Sequence, residues 1–336
     1  MRGLSTSGTV STFAGSTGLL QALLDWLAGG AVSLGWTVKY KRNTRDNNRT
    51  AWTEPFGSDC QECILHNTGL SGTENVLIGI REWNYVAGAA NAWDLNGYTT
   101  YLADQFWNIS GDQHSREAYD TTWGHYTQLP MMPLIDDTMY YWFYADEQRI
   151  VVVVKVQSNY ESCYLGFGDR YGNPTDYPYP LIIKGTASGN LAFSSTSAYH
   201  HCIVDDISVT YGTYNALVVK PDNSWNIYSN SLGLKIHPMR DWYNTGIISE
   251  TPSHKEVLVS PVTMIDKALQ ATLMEMDQVI HIAGVGVQAE DLIDGPNKLR
   301  YRIFQNVFRT EYNDFFGVVE SDYTTTTTTT VTTTTV

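Results

Sequence analysis

Charge is scarce in this chain. Asp, Glu, Lys and Arg make up 17% of its 336 residues, where an ordinary soluble domain carries about 25%. Of these, 35 are acidic and 21 basic, a formal net charge of −14. A phosphate-binding surface needs clustered Lys and Arg, so direct nucleic-acid binding is not expected. The main basic run, KYKRNTRDNNR at Lys39 to Arg49, reads as a solvated turn between strands or as a small anion patch. Long hydrophobic runs are missing too, and none approaches the ~20 residues of a membrane span. The early apolar run from Leu19 to Ala28 is broken by Asp25 and Trp26 on a helical period, which suits an amphipathic helix better than a signal peptide. The expectation is a protein released without secretion.

Cysteine is also sparse, with four residues: Cys60, Cys63, Cys163 and Cys202. A chain near 300 residues buries about 75% of its unfolded surface and needs no metal or disulfide to hold its core. CQEC has metal-type spacing with His66 three residues on, and HHC at His200 to Cys202 offers a second, irregular half. Zinc at Cys60, Cys63 and His66 is therefore a weak candidate beside free structural thiols and a disulfide. No cofactor is expected.

Catalytic signatures are equally thin. There is no G-x-S-x-G elbow, phosphate loop or H-E-x-x-H. GFGDRYG, Gly166 to Gly172, lacks the helix and the lysine of a phosphate cradle. Asp136-Asp137 and Asp205-Asp206 are adjacent pairs, and neighbours in a strand point to opposite faces, so neither pair forms a dyad by itself. His200-His201 has the same difficulty. No enzyme is expected.

What fills the gap is aromatic and neutral-polar. There are 22 Tyr and 10 Trp, amid abundant Thr, Ser, Asn and Gly, a profile common in extracellular and virion β-proteins. Trp83, Trp93, Trp107, Trp123, Tyr140, Tyr141, Trp142 and Tyr144 suit a sugar platform or, with fewer assumptions, core and interface packing. Leu19, Leu20, Leu23, Leu24 and Leu27 form a helical stripe, with Ser16 or Thr17 as cap and Gly29-Gly30 as stop. Strands are expected in GWTVKYKR, CQECILHN and Asn75 to Trp83, and Asn96-Gly97 reads as a turn. The strongest hairpin pairs Met139–Tyr144 with Arg149–Val156 across ADEQ, and the unalternating Val151 to Val154 implies burial on both faces. Short β runs follow in ISVTYG, ALVVKP and WNIYSN, then in Val257 to Val319.

The expected fold is α+β and β-rich: mainly antiparallel sheets, sandwich- or barrel-like, with one principal N-terminal helix at about 17–28 and few others. The expected division is an α+β domain at 1–135, a β-rich domain at 136–320 with a loop-rich excursion at 186–230, and a Thr-rich arm at 321–336. Within Glu161 to Gly185, Pro174, Pro178 and Pro180 hold the chain extended without a regular ladder, as a corner presenting Tyr171, Tyr177 and Tyr179 to a core or a neighbouring subunit. The Thr-rich end, from Thr324 through Val331 to Val336, is either a disordered tail or a strand-adding arm. Thirteen extended residues span about 40 Å.

GLSGTENVLIGIREW resembles a motif of uncharacterised virion proteins of tailed bacteriophages. The block running from Trp142 through Arg149, Lys155-Val156, Tyr160, Tyr164, Gly166-Phe167 to Tyr177–Leu181 is similar to the same family, as is IFQNVFRTEYNDFFGV around Arg309. The resemblance implies a structural component of a tail, baseplate or neck ring. Its partners would be copies of itself in a ring or layer and other virion structural proteins, with assembly in the host cytoplasm. Interface candidates are Tyr171, Tyr177, Tyr179, Trp142, Arg309, Thr324, Val331 and Val336. The alternatives are a receptor- or glycan-binding virion module and a tail-associated polysaccharide hydrolase.

Overall fold

The computed structural model describes residues 3–10, 18–42, 60–83, 91–99, 119–120, 125–126, 130–135, 137–185, 187–188, 203–204, 216–227, 234–237, 258–266, 271–283, 287–294, 299–305 and 315–320. In chain order the elements are β1 (Leu4–Val10), α1 (Leu19–Ala28), β2 (Thr37–Arg42), β3 (Cys60–Asn67), β4 (Val76–Trp83), β5 (Asn91–Tyr98), β6 (Tyr119–Asp120), β7 (His125–Tyr126), β8 (Pro130–Leu134), β9 (Met139–Ala145), β10 (Arg149–Val156) and β11 (Asn159–Phe167). They continue as β12 (Asp169–Arg170), β13 (Leu181–Lys184), β14 (Ala187–Ser188), β15 (Ala216–Val219), β16 (Trp225–Ile227), β17 (Leu234–His237), β18 (Leu258–Asp266), β19 (Ala271–Ala283), β20 (Leu292–Asp294), β21 (Arg300–Gln305) and β22 (Phe315–Val319). The β-rich α+β expectation holds, and among the described residues there is one α-helix, where the leucine stripe places it.

Among the described residues, three large antiparallel sheets carry the fold, beside a two-stranded one of β6 and β7. A seven-stranded sheet runs β1-β9-β10-β11-β13-β15-β16, a second runs β14-β8-β5-β4-β3-β2, and a third runs β17-β18-β19-β22-β21-β20. Side-chain parity shows how they stack. On β10, Ile150, Val152, Val154 and Val156 join one apolar cluster with α1 and the β2–β5 sheet, while Val151 and Val153 join another with β18–β22. The alternation repeats on β13, where Leu181 and Ile183 face the first cluster and Ile182 the second. The sheet that contains β10 is thus the middle layer, walled on both faces, which is why its central strands β10 and β13 lack polar alternation. Each fully buried Val or Ile there contributes about 1.5–3 kcal/mol. The first cluster runs continuously across position 135, between β8 and β9.

The helix buries Leu19, Leu20, Leu23, Leu24 and Leu27 and ends as the Gly29 amide donates to the Asp25 carbonyl. Ser16 and Thr17 lie outside the described residues. Gly18 occupies the N-cap position without a side-chain cap, and Glu82 of β4 takes over that role, its Oε2 accepting the Leu20 amide at 2.8 Å.

Three expectations are corrected. Asn96-Gly97 is no turn but the interior of β5. A Cβ at Gly97 would stand 2.8 Å from Ile183 Cγ1 and 2.9 Å from Leu181 Cδ2, so the missing side chain lets two sheets approach. Within the excursion expected at 186–230, the β runs in ALVVKP and WNIYSN hold as β15 and β16, but all of β15 is buried in the middle sheet instead of lying exposed. Pro174 does not extend the chain either: the amides of Asp176 and Tyr177 fold back onto the Asn173 carbonyl in a turn.

Candidate functional site

Two constellations of polar side chains stand out, one a structural node and the other a cleft. The node forms where β9 turns into β10. Asp146 Oδ1 accepts the amides of Gln148 and Arg149, fixing the turn. The Trp36 indole donates to the Asp146 carbonyl at 2.7 Å. Arg149, 1% exposed, has Nε 3.2 Å from Asp146 and Nη1 2.8 Å from Asp277 of β19. Gln148 continues the chain to Glu74, beyond the β3 end of the outer sheet. All three layers are therefore joined here. Asp277 reaches inward because β19 bulges: the register with β18 skips between Pro261 and Thr263, and Gln278 adopts φ +68°. Burial alone lowers the Arg149 pKa, but the neighbouring Tyr164, Asp146 and Asp277 outweigh it and keep the guanidinium charged. Gly166 permits the close packing, since a Cβ there would stand 2.2 Å from the Gln148 carbonyl, and its φ is +135°.

The cleft, of about 490 Å³, opens between edge strand β1 of the middle sheet and edge strand β20 with its neighbours β21 and β22. Twisted sheets packed face to face separate toward their corners. Its apolar floor includes Trp142, Val153, Phe304 and Val318, and Ser5 and Ser7 line one side. Trp142 is half-buried and held by rings, 5.1 Å from Phe304 at 62° and 6.0 Å from Tyr160. On β21, period-two alternation puts Arg300, Arg302 and Phe304 on one face. Nε and Nη2 of Arg302 both donate to Glu320 Oε1, and Nη1 donates to the Glu290 carbonyl at 3.0 Å. Arg300 Nε lies 3.4 Å from Asp294. Beside the cleft, Glu290 accepts from Lys155 at 2.6 Å and from Tyr160 at 2.7 Å. These contacts hold the Glu290 carboxyl below its ordinary range although burial pulls the other way.

The expected site residues scatter. Cys63 and His66 lie three apart in β3 and so on opposite faces. The Cys63 thiol is buried in the core, and burial pushes its pKa up to about 12. His66 is half-buried, and burial with nearby Lys39 lowers its pKa. Strand geometry thus separates two members of the candidate zinc set, and no group of three potential ligands converges among the described residues. The Cys60 side chain, Asp136, His200, His201, Cys202, Asp205 and Asp206 lie outside them. Asp137 is exposed and accepts the Thr138 amide.

Of the interface candidates, Tyr177 is buried and its hydroxyl donates to the Val219 carbonyl, so the core takes it up. Tyr179 is half-buried against the first apolar cluster. Tyr171 is 52% exposed and reaches Glu275 at 3.0 Å. Trp142 floors the cleft. Arg309, Thr324, Val331 and Val336 lie outside the described residues. Sequence reading missed Arg300, Arg302, Glu320 and the β1 serines, and R-Y-R-I-F alternation was the available signal for the arginines.

No protein-family model and no curated protein sequence matches this chain.

Proposed function

We propose that the protein is a structural component of a tailed-phage virion, in the tail, baseplate or head–tail connector. It acts by packing against copies of itself, in a ring or layer, and against other virion structural proteins. It performs no reaction, needs no cofactor, and reaches the virion after assembly in the host cytoplasm. The observation that carries the reading is strand β1. LSTSGTV is seven residues long, contains neither charge nor proline, pairs with β9 in unbroken register, and among the described residues is the edge of its sheet. Domains that live alone guard such an edge with Lys, Pro, a bulge or extreme shortness. An uncharged, regular edge suits a subunit whose neighbour adds to it. Tyr140 and Tyr171, 55% and 52% exposed, offer the large rigid contact area that interfaces favour.

The experiment pairs mass spectrometry of virions from the phage that carries the gene with sedimentation of the purified chain. The expected result is a stoichiometric virion protein that self-associates. Thr9→Lys on β1 should weaken that association without changing the melting temperature. A chain that stays monomeric when concentrated and is missing from virions overturns the reading.

A further inference from the structure

We propose that the cleft between β1 and β20–β22 is a binding site for a neutral carbohydrate, a short oligosaccharide, held on Trp142. This does not rest on the assembly reading. The volume of about 490 Å³ lies within the range of small-ligand sites. Three features select the ligand class.

The first is the floor. Trp142 is the half-buried aromatic among the lining residues, immobilised by Phe304 and Tyr160. A rigid indole offers a large apolar surface to the C–H face of a pyranose at little cost in ordering. The second is charge. Arg302 is closed by Glu320 and Arg300 leans on Asp294, so each cation among the described lining residues already faces a carboxylate. A neutral ligand fits this balance, and an anion does not. The third is the mixture of polar groups. Paired guanidinium and carboxylate groups supply donors and acceptors side by side, and the Ser5 and Ser7 hydroxyls supply both from one atom. Vicinal sugar hydroxyls need that combination. A purely apolar ligand would strip water from the Ser5 and Ser7 hydroxyls and give them nothing in return, at a cost.

The probes are neutral di- and trisaccharides of glucose, galactose, mannose and N-acetylglucosamine, with inorganic phosphate, a sulfated disaccharide and a Thr-rich peptide as competitors of other classes. The full-length protein carries 5-fluorotryptophan, and Trp142 is assigned through Trp142→Phe. At millimolar ligand, at least one neutral sugar should shift the Trp142 resonance. Trp142→Ala should weaken its binding by roughly tenfold or more. Because Trp142→Ala also opens the core, Ser7→Trp serves as the second variant. It sits on an exposed edge position, should leave the melting temperature unchanged, and should abolish binding by filling the cleft. The proposal is overturned if no neutral sugar shifts Trp142, if sugar binding survives Ser7→Trp, or if only phosphate, the sulfated sugar or the peptide binds there. Self-association and virion content are measured separately, so either reading can fail without the other.

Discussion

Arg149 Nη1 lies 2.8 Å from Asp277 Oδ2, across the boundary between the middle sheet and an outer one. The guanidinium also faces Asp146, and it is nearly sealed from water. Removing the cation would leave buried carboxylate without its partner. Arg149→Met should therefore cost about 3–5 kcal/mol of unfolding free energy. Asp277→Ala should cost less, since the Asp277 side chain is 31% exposed and Asp146 still balances the arginine. Urea unfolding of the two variants checks the order, and equal losses would contradict it.

Glu82 sits against the first turn of α1, fully buried, its Oε2 also accepting the Trp93 indole at 2.8 Å. Burial raises its pKa from 4.5 to about 8, although the two hydrogen bonds oppose the shift. The folded protein thus holds a proton that the unfolded chain releases between these values. Its contribution is whole below pH 4.5, declines as pH rises through the window, and levels off above about 8. The total decline is on the order of 4–5 kcal/mol. Glu82→Gln, which mimics the protonated acid, should flatten that part of the stability–pH curve. Parallel curves for the two proteins between pH 5 and 8 would refute the assignment.

Gly97→Ala tests the sheet contact directly. The added methyl meets Ile183 and Leu181 of the middle sheet, and overpacking of this kind costs about 1–3 kcal/mol. The melting temperature should fall by several degrees. Gly97→Ala at no cost would mean that the two sheets are not held this close.

Cys63 and Cys163 are both buried free thiols with pKa values raised by burial. Iodoacetamide at pH 8 should leave both unmodified in the native protein and alkylate both in denaturant. Peptide mapping reads this out, and native labelling of Cys63 would place it outside the core.

Much of the fold was legible because local pattern and tertiary demand agreed. The leucine stripe of α1, the hairpin around Asp146 and the unalternating valines of β10 each announce their surroundings. Asn96-Gly97 misled because its chemistry suits a turn, whereas the glycine answers to a sheet packed against it. Strand β1 escaped notice since Ser, Thr and Gly carry no apolar alternation; its conformation comes from pairing with β9. Arg149 and Asp277 were unreadable together because a bulge more than a hundred residues away brings the carboxylate in. The cleft was hidden for the same reason: its two edges come from opposite ends of the chain.

The pairing of Leu4 with Ala145 also bears on how the protein is made. During synthesis, the first strand leaves the ribosome long before its partner exists. At roughly 5–20 residues per second, it waits on the order of ten seconds. Throughout that interval an uncharged, proline-free strand lacks its native partner β9. Expression temperature and chaperone supply should therefore govern the soluble yield of this protein more strongly than its final stability does.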